Sequence, residues 1–83
     1  MDQISISGRQ LAAARTLVGK TQAEVANAAG ISIPTLKRME SSAASVAGIP
    51  NNIKAVITAL ENAGVIFIDQ NGNGPGVRLR DRI

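Results

Sequence analysis

"TQAEVANAAGISIPTLKRMES", residues 21–41, sets two short helical patterns on either side of Gly30, each opened by its own polar cap. Thr21 and Glu24 form a T-x-x-E capping box ahead of "QAEVANAA". Val25, Ala26 and Ala29 fall on one face of that helix. Gly30 ends it, because glycine alone enters the left-handed turn without a steric penalty. Ser32 caps the next helix, "IPTLKRMES", and Pro34 falls in its first turn, where a missing N–H is harmless. Leu36 and Met39 are expected to point inward, while Ile33, Lys37 and Arg38 cannot all join them. Helices joined this tightly must cross, which holds one polar face of the second away from the body of the protein. The use of that face decides the function.

Upstream, Ser7 and Gln10 make an S-x-x-Q capping box, and Leu11, Ala14 and Val18 recur at helical spacing. A first helix is predicted over Gly8 to Val18, stopped by Gly19. Downstream, "SAASVAGIP" reads as a small-residue connector with room for a helical turn. "NIKAVITALENA" then repeats Ile53, Val56, Ile57 and Leu60 at helical spacing up to Gly64. Beyond Gly64 the period changes. "VIFID" is rich in β-branched and aromatic residues, "VRLR" alternates apolar with basic, and "QNGNGPG" between them is turn-forming, so a β-hairpin is predicted.

Composition narrows the function. The 83 residues fit one domain, which at this size buries only about 60% of its unfolded surface, so dimerisation would help it. Cysteine and histidine are both absent, which removes disulfides, thiolate metal sites and the commonest general base. The six carboxylates are scattered without a close pair. An enzyme is therefore not expected, nor is a metal or other cofactor. No apolar run reaches the length of a membrane span, and "MDQISIS" lacks the regions of a signal peptide, so a cytoplasmic protein with no membrane partner is expected. The net charge of +3 and a pI of about 10.2 favour polyanionic partners without specifying one.

The stretch 21–41 resembles the helix-turn-helix of the Cro/cI-type (XRE) transcriptional regulators. Counted from Gln22, the apolar Val25, small Ala26, turn Gly30, apolar Ile31, then Leu36 and Met39 match the positions that lock that motif's two helices. The match runs from the first predicted helix to the fourth. "ALENAGVIFIDQNGNGPGVRLR" is similar to the tail of many small bacterial members. The resemblance implies a mainly α, four- to five-helix Cro/cI-like helix-turn-helix domain over residues 1–64. A short C-terminal β-hairpin with a basic tail would follow over 65–83. It also implies a sequence-specific regulator of transcription that binds double-stranded DNA, of the kind carried by bacteria and their mobile elements.

A crossing helix of this kind can enter the major groove of B-DNA. The expected readers are Ile33, Thr35, Lys37 and Arg38, with Lys37 or Arg38 donating to guanine and Ile33 packing on a thymine methyl. Ser32 and Thr35 would touch phosphate if they are not simply caps. The family pattern gives Gln22, at the start of the second helix, a phosphate or base-edge contact; otherwise it is a surface residue of good helix propensity. It also pairs Arg15 with Glu40 as a structural ion pair joining the first helix to the end of the third. Two departures stand out. Ile33 and Pro34 occupy positions that are polar in many relatives, and Lys20 replaces a large apolar turn residue, where it either reaches phosphate or is solvated.

A lone motif buries little, and dimers reading two half-sites of a palindromic operator solve this. Dimerisation is expected through the hairpin, at Val65, Phe67, Val77 and Leu79, with Ile53, Val56 and Leu60 beneath. The alternative is that the hairpin packs on its own domain with Phe67, the only aromatic residue, in the core. "NGNGPG" lacks the G-K-[ST] of a phosphate loop and reads as a turn. Arg78, Arg80 and Arg82 form a basic tail that either grazes the DNA backbone or is solvated. With no aromatic stacking platform, duplex DNA is preferred over single strands or RNA. A homodimeric repressor is the leading reading, since blocking polymerase needs only occupancy, and no small-molecule effector is indicated. The alternative is a helix-turn-helix-derived protein-interaction module, antiactivator or antitoxin-like, without sequence-specific DNA binding.

Overall fold

A computed structural model describes residues 6–42, 50–69 and 74–81. It is mainly helical, with α1 (Gly8–Leu17), α2 (Gln22–Ala29), α3 (Ile33–Glu40) and α4 (Pro50–Asn62), followed by strands β1 (Val65–Ile68) and β2 (Gly76–Leu79). None of these helices is long and apolar enough to cross a membrane. Most of the small-residue connector and the tip of the hairpin lie outside the described residues, as does Arg82.

Local chemistry sets the helix ends. The Ser7–Gln10 and Thr21–Glu24 capping boxes are both complete, each hydroxyl accepting a backbone N–H and each longer side chain accepting one in return. Ser32 Oγ accepts from the Thr35 N–H at 3.2 Å. Helix α1 ends one residue earlier than its apolar period suggests, with Val18 as the cap residue. At the end of α2, Gly30 turns left-handed at φ 72°. Its N–H donates to the Asn27 carbonyl at 3.2 Å, and the Ile31 N–H donates to Ala26 at 3.0 Å. This pair of reversed bonds satisfies carbonyls that the helix would otherwise leave orphaned. The chain is thereby redirected within three residues.

One core gathers every element. Ile6, Leu11, Ala14, Val25, Ala26, Leu36, Met39, Ile53, Val56, Leu60 and Val65 are buried together, with Val18, Ala29, Ile31, Ile57, Phe67 and Val77 packed against them. Helix α2 packs on α3 and α4, while α1 packs on α3 and the hairpin. The aliphatic face of α4 is thus spent inside the domain.

The hairpin is antiparallel, with Val65 opposite Leu79, Ile66 opposite Arg78, Phe67 opposite Val77 and Ile68 opposite Gly76. Strand alternation therefore puts Val65, Phe67, Val77 and Leu79 on one face. That is the inward face: Val65 is only 2% exposed, and Phe67 and Val77 lie against the core. Of the four residues expected to meet a second copy, Val65 is a core residue, Phe67 and Val77 pack against the core while partly exposed, and Leu79 is half-buried. Ile66 and Ile68, also half-buried, occupy the other face.

Two close contacts fix α1 in place. Gln10 Nε2 donates to the Ile68 carbonyl at 3.4 Å and to the Gly76 carbonyl at 3.2 Å, so the residue that closes the first capping box also holds both strands. Gly8 is buried where α1 meets the end of α3. A Cβ there would run into the Met39 carbonyl oxygen and would come within 2.6 Å of the Ser42 carbonyl oxygen and 2.8 Å of its nitrogen. These are backbone atoms, which cannot rotate away. Alanine gains up to about 1 kcal/mol in helix propensity, but forced overpacking costs about 1–3 kcal/mol. Gly8→Ala is expected to lower the urea midpoint, and an unchanged or raised midpoint would contradict the close packing of α1 on α3.

Candidate nucleic-acid interface

The two eight-residue helices α2 and α3 are joined by Gly30, Ile31 and Ser32 alone. On α3, Leu36 and Met39 are fully buried, which fixes the helix's rotation about its own axis. The opposite side then consists of Ile33, Pro34, Lys37 and Arg38, all exposed. Residues four apart share a helix face, so Ile33 lies above Lys37 and Pro34 above Arg38. Neither Lys37 nor Arg38 has a side-chain hydrogen bond or ion pair among the described residues. Two cations are therefore presented to solvent with no acceptor among the described residues.

Thr35 and Ser32 are less available. Their hydroxyl oxygens lie 2.8 Å apart and share a hydrogen bond, while Ser32 Oγ also accepts the Thr35 N–H. Both are engaged in capping α3. Each keeps some hydrogen-bonding capacity for a further partner, since a hydroxyl has one donor and two lone pairs.

The C-terminal end of α3 is held by a cluster around Glu40. Arg15 Nε donates to Glu40 Oε2 at 2.8 Å and Arg15 Nη2 donates to Oε1 at 3.1 Å, a two-pronged pair. The side chains are 20% and 8% exposed, so water competes weakly for them. Arg15 Nη1 also donates to the Lys20 carbonyl at 3.1 Å, which fixes the turn between α1 and α2. Gln22 Nε2 donates to Glu40 Oε1 at 3.0 Å. One carboxylate thus joins α1, the start of α2 and the end of α3. Its buried position is matched by the absence of any unpartnered buried side-chain nitrogen or oxygen among the described residues.

Gln22 itself belongs to this cluster. Its amide is half-buried and turned to Glu40, which makes it part of the clamp; its carbonyl oxygen and second N–H remain for other partners. The Gln22–Glu40 contact spans 18 positions, and no local pattern announces it. The Lys20 side chain is exposed, beside the N-terminus of α2. Arg80 stands at the far end of α4, where its Nη1 donates to the Glu61 carbonyl at 3.4 Å and its Nε lies 3.5 Å from Asp81.

The carboxylate of Glu24 closes the cap of α2 by accepting the Thr21 N–H at 2.8 Å. The Thr21 backbone N–H, then the Thr21 hydroxyl and the nearby Lys20 charge, hold its carboxyl below the ordinary value of 4.5. A depressed carboxyl stabilises the fold above its unfolded pKa and loses that contribution as pH falls through the folded value. The wild type is therefore expected to lose stability below pH 4.5 relative to Glu24→Gln, which keeps an acceptor but cannot titrate. Parallel melting curves for the two proteins from pH 6 down to about 3 would show no such role for the cap.

No protein-family model matches the chain, and no curated protein matches it.

Proposed function

We propose that this protein is a sequence-specific double-stranded-DNA-binding regulator of transcription, of Cro/cI helix-turn-helix type, acting as a homodimeric repressor at a palindromic operator. The observation that carries the reading is α3 itself. Its inner side is locked by Leu36 and Met39 and its end by Glu40, while its outer side offers Lys37 and Arg38 with no acceptor among the described residues. A rigid helix with free cations on its exposed face suits the major groove, where lysine or arginine donates to guanine O6 and N7. Ser32 and Thr35 at the start of α3, Gln22 and Lys20 at the start of α2, and the N–H groups of those helix ends lie where phosphates would flank such a helix. For the second copy, Ile66, Ile68 and Leu79 are half-buried apolar residues of the hairpin outside the domain's core.

Exposed Ile33 favours a second reading, a protein-interaction module built on the same helices. Salt dependence separates the two. Binding to duplex DNA through about six phosphate contacts predicts log affinity falling against log salt with a slope near −5. A folded protein with no measurable duplex binding from about 50 to 200 mM salt would favour the protein-binding module.

A further inference from the structure

The first turn of α3 has a chemical character unlike the turn that follows it. Ile33 is 40% exposed, one of two large hydrophobic residues so exposed among the described residues. Pro34 beside it is exposed and has no N–H to donate. Thr35 and Ser32 spend hydroxyl capacity on each other at 2.8 Å. One turn later come Lys37 and Arg38, exposed and unpaired among the described residues. The face therefore reads apolar first and cationic second.

The residues at the start of a recognition helix are those that meet base edges. On the major-groove side, the C5-methyl of thymine is the only apolar group that the four ordinary bases display. An isoleucine has no donor or acceptor with which to distinguish the neighbouring O4 of thymine from the N4 amino group of cytosine. Resting on the DNA-binding reading above, we propose that the start of α3 is a reader of pyrimidine C5-methyl groups, with Ile33 as the specificity-determining residue. It accepts thymine in an ordinary operator and 5-methylcytosine in its place, while Lys37 and Arg38 supply the neighbouring guanine and phosphate contacts. The cations tether an otherwise apolar turn to a polyanion, which a protein partner recognised through Ile33 alone would not require. Cytosine methylation within the half-site then becomes a signal that this surface detects.

The test uses duplexes enriched by the full chain from a random library. Each thymine is replaced singly by deoxyuridine, by cytosine with its guanine partner, and by 5-methylcytosine with the same partner. Burying one methyl is worth about a fourfold change in affinity. One thymine in each half-site should lose about that much as uracil, lose as cytosine, and recover on methylation of that cytosine. Ile33→Ala, at an exposed position, should stay folded and bind thymine and uracil duplexes equally, whereas Ile33→Val should keep the preference. Tolerance of uracil at every thymine would overturn the proposal, as would a thymine preference that survives in Ile33→Ala. Failure to enrich any duplex overturns the DNA-binding reading together with it, so the two failures are distinct.

Discussion

Arg15→Ala is expected to lower the free energy of unfolding by about 3 kcal/mol, the cost of leaving a largely buried charge without its partner. Glu40, only 8% exposed, would keep the Gln22 amide as its sole side-chain donor among the described residues. The turn at Lys20 would also lose the guanidinium that holds its carbonyl. For a domain of this size each kcal/mol lowers the melting temperature by about 4–8 °C, so a drop of roughly 12–24 °C is expected. Total stability for such a chain is only about 5–15 kcal/mol, which makes this loss a large fraction of it. Replacing both partners with apolar residues, Arg15→Met with Glu40→Leu, should recover part of the loss, because no charge is then stranded. A melting temperature unchanged in Arg15→Ala would show that the clamp contributes little.

The second large effect falls on binding and spares the fold. Lys37→Ala/Arg38→Ala removes two exposed side chains that touch no acceptor among the described residues, and surface changes of this kind stay within about 0.5 kcal/mol each. Removing a side chain that donates to guanine costs about 1–3 kcal/mol of discrimination, so the pair should weaken operator binding by about 30-fold to 10⁴-fold per half-site. The salt slope separates their roles. A cation on phosphate weakens binding to all sequences and flattens the slope by about one, whereas a cation on guanine relaxes the sequence preference. Measured together on the same duplexes, affinity and slope assign each residue. A double variant that melts like the wild type and binds its operator equally well would remove α3 from the interface.

Local features of the fold were legible in the sequence for a physical reason: they are written within four residues. The boxes at Ser7 and Thr21, the cap at Ser32 and the reversal at Gly30 each depend on neighbours along the chain. Helical spacing likewise marked Leu36 and Met39 as inward, with Ile33, Lys37 and Arg38 unable all to join them. Interactions between distant segments were not legible in this way. The pairing of Arg15 with Glu40 spans 25 positions and was expected only from the family resemblance. Nothing local distinguishes Gln10 as the residue that holds both strands, or Gly8 as the point of closest approach to α3. The hairpin shows the limit most clearly. A period of two says that β1 has two faces, but Ile66 and Ile68 are as apolar as Val65 and Phe67, so the pattern could not say which pair turns inward. Packing against α1 and α4 decides it.

On the hairpin, Val65 lies in the core with Phe67 and Val77 against it, while Ile66, Ile68 and Leu79 are half-buried. Symmetry in the bound sequence would report the dimer without reference to the contact surface, because a two-fold protein reads two inverted half-sites.

The most direct measurement is therefore selection of bound duplexes from a random library by the full chain, repeated with Lys37→Ala/Arg38→Ala. A palindromic motif is expected for the wild type, lost or relaxed in a variant that remains folded. A folded wild-type protein that enriches no duplex, even at low salt, would contradict the DNA-binding reading and turn the exposed face of α3 into a surface for another protein.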